Sequence, residues 1–162
     1  MAEVIKVGMA DLNICKAPNS ITTIGLGSCI GVTLYDPVSK VGGMAHVMLP
    51  DSTAIKNNTN IAKFADTGVA ELLKRVIEAG ATKSRLVAKM AGGAKMFEVS
   101  GGAAATINVG ERNAEAVKKK LGELGIKIIA SDTGLNYGRT VILDCNNGDF
   151  IIKAVGKELK TI

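Results

Sequence analysis

Runs of apolar and β-branched residues, each closed by Gly, Pro or Asn, fill the first third of the chain. They predict strands over 4–7, 21–24, 29–35 and 41–49. Pro50-Asp51-Ser52-Thr53 ends this section, and the polar stretch Lys56-Asn57-Asn58-Thr59-Asn60 reads as an exposed loop. The pattern then changes period. Phe64, Ala65, Val69, Leu72, Leu73, Val76 and Ile77 recur at helical spacing and predict a helix over 61–78, with Gly80 placed to stop it. A strand over 86–90 leads into Ala91-Gly92-Gly93-Ala94, and 107–109 reads as a further short strand. The second helix covers 113–124, with Ala114, Val117, Leu121 and Leu124 on one side and lysines on the other, and Gly125 ends it. Strands follow over 126–130, 140–145 and 150–155, the last two joined by Asn146-Asn147-Gly148, a hairpin signature. Many strands with two main helices point to an α/β (α+β) layered domain, one domain over 1–162.

Composition sharpens this picture. Hydrophobic residues are 47% of the 162 but aromatics only 3%, so the core is built from aliphatic residues and Met. The net charge of +5 is scattered apart from Lys118-Lys119-Lys120, which reads as a solvated helix face. Nucleic-acid binding wants basic residues interleaved with aromatics, and too few aromatics are present. A mildly acidic protein partner suits the charge better. Three cysteines without metal-ligand spacing, and an N-terminus without an apolar targeting segment, suggest reduced thiols in a cytoplasmic protein. No stretch approaches the length of a membrane span. The single histidine argues against zinc catalysis, which usually needs two or three imidazoles.

The candidate chemistry lies at a predicted hairpin. Asp36-Pro37-Val38-Ser39-Lys40 is turn chemistry, and its arms carry Cys29 and His46. Pairing Tyr35 with Val41 would set Cys29 opposite Val47 and turn the imidazole to the other face. A bulge at Gly42-Gly43, or a turn of even length, would shift the pairing by one residue and set Cys29 directly opposite His46, with both side chains on one face. There the imidazole would take the thiol proton and later protonate a leaving group, and an ion pair between them would lower the thiol pKa. Gly25-Leu26-Gly27-Ser28 precedes the cysteine, and N–H groups at Gly27 and Ser28 would serve an oxyanion. The Thr23 hydroxyl would orient the imidazole. Each residue also has an ordinary reading: a small buried thiol, a core histidine, a β-branched strand residue. Ala91-Gly92-Gly93-Ala94-Lys95-Met96-Phe97 and Asp132-Thr133-Gly134 read as turns or as the lining of a substrate groove. No dinucleotide or phosphate loop is present.

Thr23-x-Gly25-x-Gly27-Ser28-Cys29 with His46-Val47-Met48-Leu49-Pro50-Asp51-Ser52 resembles the CheD family of chemoreceptor glutamine deamidases. The likeness continues through Lys63-Phe64-Ala65-Asp66-Thr67, the 89–97 block, Gly110-Glu111-Arg112-Asn113-Ala114-Glu115-Ala116-Val117 and Asp132-Thr133-Gly134. The resemblance implies Cys29 as nucleophile, His46 as its histidine and Thr23 as the third catalytic residue, with no metal or cofactor. It implies a sandwich of mixed β-sheets with helices outside, similar to the cytotoxic necrotising factor deamidase domains. The implied substrates are glutamines on chemoreceptor cytoplasmic helices, and the implied partner is the CheC phosphatase. A cysteine protease or methylesterase would use the same pair, whereas a purely regulatory CheC-binding role would not need it.

Overall fold

The computed structural model describes residues 2–96 and 108–162. Ten strands form two five-stranded sheets. The first sheet contains β1 (Val4–Val7), β3 (Ser20–Leu26), β8 (Arg139–Asp144), β9 (Phe150–Lys153) and β10 (Lys160–Thr161), in that order. The second runs β2 (Leu12–Lys16), β5 (Val41–Val47), β4 (Ile30–Asp36), β6 (Val87–Gly92) and β7 (Lys127–Thr133). Each is mixed: β1 runs parallel to β3 and β6 parallel to β7, while the other neighbours are antiparallel. Helices α1 (Ala65–Glu78) and α2 (Val109–Glu123) cover the outer face of the second sheet. The result is the expected α+β layered sandwich. Among the described residues no helix is long and apolar enough to cross a membrane.

The middle sheet is buried on both faces, so β4 and β5 contain no exposed residue. Alternation along β4 sends Ile30, Val32 and Leu34 to the helices, where Val69, Leu72, Val76, Val117 and Leu121 meet them. The alternate positions face the other sheet, and Tyr35 and Met44 pack there with Ile21, Leu26, Val141, Leu143 and Phe150. His46 belongs to this second set, because it shares the face of Met44.

Several boundaries differ from the periodicity. Ile61–Lys63 is a 3₁₀ turn and Phe64 is extended, so α1 starts at Ala65. The Phe64 ring is fully buried, and its neighbour Ala65 donates to the Leu49 carbonyl, which bridges to Phe64. The strand expected over 41–49 accordingly ends at Val47, and Cys29 lies just before β4 rather than inside it. Part of the short strand expected over 107–109 lies outside the described residues, and Val109 instead opens α2. Asn108 caps that helix by accepting from the Glu111 N–H, a cap with Glu at its third position. Asp132 and Thr133, expected in a turn, complete β7, and Ala91 and Gly92 complete β6. Strands β2 and β10 lie outside the expected set.

The hairpin turn is organised by Asp36, which has no solvent exposure. Its carboxylate accepts from the N–H groups of Val38, Ser39 and Thr82 and takes a two-oxygen clasp from Arg85. Burial alone would push this carboxyl up, but the Arg85 guanidinium and the three N–H donors together hold it well below the ordinary carboxylate range. Its contribution is therefore complete above the unfolded-chain pKa of about 4 and is withdrawn as pH falls through the lower folded value. Asp36→Ala should cost about 2–4 kcal/mol at neutral pH, since it orphans buried donors, and should flatten the acid limb of stability; urea titrations from pH 7 down to 3 measure both.

Candidate active site

The hairpin pairs Asp36 with Val41, which leaves an even, four-residue loop over 37–40. No bulge interrupts β4 and β5, so of the two expected routes to a shared face the even turn is the one used. Gly42 and Gly43 serve close packing instead. A Cβ at Gly42 would lie 2.8 Å from the Leu34 carbonyl oxygen, and one at Gly43 would lie 2.8 Å from both the Asn13 oxygen and Leu72 Cδ1. The register places Gly31, not Cys29, directly opposite His46. Cys29 lies outside the paired strand, in the bend before Ile30. It is half-buried and packs against the cluster between the sheets. No hydrogen bond joins its sulfur to the imidazole among the described residues. Contacts of this kind often tighten only when substrate is bound.

A bulge is present elsewhere. The β3–β8 register shifts between Thr23 and Leu26, and Gly25 lies there with φ +78°, a conformation open to glycine. Thr23 sits on the regular side of this irregularity, paired with Val7 and Val141. Its hydroxyl lies 2.8 Å from the Val7 carbonyl oxygen and 2.7 Å from His46 Nδ1. A threonine hydroxyl has one proton, and a carbonyl can only accept, so that proton goes to Val7. His46 Nδ1 is then the donor to Thr23 Oγ1, and Nε2 carries the free lone pair. His46 is fully buried, and its Nε2 has no partner among the described residues. The network thus selects the tautomer that a general base needs.

Burial pushes the Cys29 thiol up and the His46 imidazolium down. Both directions favour the uncharged pair, contrary to the expected ion pair that would lower the thiol pKa. A neutral imidazole accepts a proton as the thiol attacks, so nucleophilic chemistry remains available.

The approach loop is held by its carbonyls. The Gly27 oxygen accepts from the Ala94 N–H and the Cys29 oxygen from the Gly93 N–H, each at 2.9 Å. The Ser28 oxygen accepts from Asn113 Nδ2. The N–H groups of Gly27, Ser28 and Cys29 have no partner among the described residues. The two glycine-rich segments, read as turns or as a substrate groove, meet at a cavity: Gly93 and Lys95 from the first and Thr133 and Gly134 from the second face Asn108 and Glu111 at the start of α2. Neither Cys29 nor His46 belongs to that lining, and Phe97 lies outside the described residues. Two contributors carried no local sequence signal of their role: Val7, which offers only a carbonyl, and Gly92, where a Cβ would collide with the Cys29 oxygen. Asn113 did carry one, as a polar residue on the apolar stripe of a predicted helix.

A family model described as CheD chemotactic sensory transduction matches residues 48–154, a stretch that begins after Thr23, Cys29 and His46. Similar proteins extend the likeness over those residues. "Probable chemoreceptor glutamine deamidase CheD" of Lachnoclostridium phytofermentans is 62% identical over 162 residues, all of both chains. Proteins of the same name from Moorella thermoacetica (47% identical, 98% of this chain and 95% of the other) and Clostridium botulinum strain Eklund 17B (53%, 94% and 93%) are also similar.

The lone imidazole makes the tautomer directly observable. Nitrogen NMR should find Nδ1 protonated and Nε2 bare, with the ring neutral to below its ordinary value of 6.5. Thr23→Val, which removes the acceptor, should mix the two tautomers; an unchanged spectrum would contradict the assignment.

Proposed function

The chain belongs to the CheD family, and from that premise we propose that it is a chemoreceptor glutamine deamidase whose reaction runs through Cys29, His46 and Thr23. As one deamidase domain over 1–162, it hydrolyses glutamine side chains of chemoreceptors to glutamate and ammonia, a step in chemotactic adaptation. The cytoplasm is its compartment, and a CheC-type phosphatase is the partner that couples it to signalling.

The Cys29 sulfur attacks the carboxamide carbon while its proton passes to His46 Nε2. Collapse of the tetrahedral intermediate breaks the C–N bond, and the imidazolium gives that proton to the leaving nitrogen, which departs as ammonia. A thioester remains. Water then attacks it, Nε2 takes the water's proton, and breakage of the C–S bond returns the thiol and the new carboxylic acid. Thr23 keeps Nδ1–H occupied throughout, so only Nε2 handles protons. The N–H groups of Gly27, Ser28 and Cys29, without partners among the described residues, are the candidate donors to the oxyanion.

The observation that carries this reading is the Nε2 of a buried imidazole, without a partner among the described residues and held at Nδ1 by Thr23, on the inter-sheet side where the half-buried Cys29 also packs. A protease or methylesterase would use the same pair but release a peptide amine or methanol. Incubation of a chemoreceptor cytoplasmic fragment followed by mass spectrometry separates them: deamidation adds about one dalton at a glutamine. Cys29→Ala should lower the rate by about 10³-fold or more. Unaltered glutamines with the unmodified protein, or deamidation that survives Cys29→Ala, would overturn the proposal. The rate should also fall as pH drops through the lowered His46 value, which lies below the ordinary 6.5, because a protonated imidazole cannot accept the thiol proton.

A further inference from the structure

Past the hairpin's last pair, Ile30 with Val47, the two arms that carry the thiol and the imidazole part company. Cys29 and Met48 would pair next, but Met48 donates its N–H to the Lys63 oxygen at 2.8 Å, and the Cys29 oxygen turns to the Gly93 N–H. One side chain spans the opening. Asn113 of α2 is fully buried, and its Nδ2 donates to the Ser28 oxygen at 3.0 Å and the Met48 oxygen at 2.9 Å. Both acceptors are carbonyls, so the amide orientation is set by the network: the reversed form would aim Oδ1 at two oxygens. Oδ1 is left buried without a donor among the described residues.

That orphan acceptor makes Asn113 an odd choice for packing alone. It lies on the stripe of Val117 and Leu121, where an aliphatic residue would fill the space without stranding a polar atom. A carboxamide is the uncharged side chain that gives two N–H donors from a single atom, as bridging two carbonyls requires. Its base is stiff as well. A Cβ at Gly110, one turn earlier, would collide with the Gly93 and Ala94 oxygens, so α2 is pressed against the segment that also holds Gly27 and Cys29.

We infer that Asn113 is a positioning residue: its amide sets the gap between the arm ending at Ser28-Cys29 and the arm running from His46 to Met48. The inference rests on the Cys29–His46 reading proposed above. Displacements of about 1 Å in such a pair can cost up to about 100-fold in rate.

The test compares Asn113→Ala, Asn113→Asp and Asn113→Gln in the full chain, each checked for folding by circular dichroism. Asn113→Gln keeps both donors but moves them by one methylene, and it serves if the other two fail to fold. Deamidation kcat should fall by about 10- to 100-fold with KM within about twofold. Asn113→Asp, whose carboxylate would face two carbonyls, should recover part of its rate as pH falls and the carboxyl regains a proton to donate. Alkylation of Cys29 by iodoacetamide gives a readout independent of deamidation, and its rate should change by at least about threefold. A folded variant with both kcat and alkylation unchanged overturns the inference. Altered alkylation in a chain whose unmodified form does not deamidate leaves the positioning role standing and removes the deamidase reading instead.

Discussion

A buried hydrogen bond crosses the seam between the two sheets, from His46 Nδ1 to the Thr23 hydroxyl at 2.7 Å. A buried ring nitrogen without a partner is destabilising by roughly 1–3 kcal/mol, and the acceptor that β3 supplies removes that penalty at Nδ1. Thr23 supplies it because its own proton is committed to Val7 on β1. Three strands from both sheets therefore converge on one side chain, and the way the sheets pack decides which ring nitrogen holds the hydrogen. The second nitrogen has no partner among the described residues, at a stability cost, and it is the nitrogen that the proposed reaction uses.

How much of this was legible depended on how local the cause was. The 36–40 turn, the Asn146-Asn147-Gly148 hairpin and both helices are written in neighbouring residues, and the layered α+β class follows from them. The register was legible only as a parity rule. Whether Tyr35 or Asp36 closes the hairpin is decided by where the Asp36 carboxylate finds Arg85 and Thr82, 49 and 46 positions further along. That information is tertiary. The early start of α2 was available in principle, since Asn108 with Glu111 three residues on is a capping pattern that the apolar spacing obscured. Thr23 looked like any β-branched strand residue, and its pairing with the imidazole came from likeness to a family rather than from its neighbours.

The electrostatics of the pair follow from the same burial. Enclosing His46 between sheets disfavours the imidazolium, and enclosing Cys29 disfavours the thiolate. A resting ion pair would need mutual contact close enough to repay both penalties, and no hydrogen bond joins the two groups among the described residues. The uncharged pair is thus the ground state, and in the proposed reaction charge appears only as the sulfur bonds to carbon. Donors already fixed around the attacked carbonyl are worth most in that situation, because they stabilise a charge that the resting site does not contain.

Such donors come from backbone, and the loop before Cys29 shows how backbone is brought so close. A Cβ at Gly92, where φ is +110°, would strike the Cys29 oxygen; one at Gly27 would lie 3.1 Å from Met96 Cγ. With side chains absent at these contacts, the carbonyls of Gly27, Ser28 and Cys29 are each taken up by a neighbour, the peptide planes that carry the Ser28 and Cys29 N–H groups are thereby fixed, and those N–H groups have no partner among the described residues. Fixing the carbonyl side of a peptide unit fixes the N–H on its other side. Close glycine contacts and a few carbonyl anchors can thus hold the donors of a hydrolytic site in place without any charged residue to aim them.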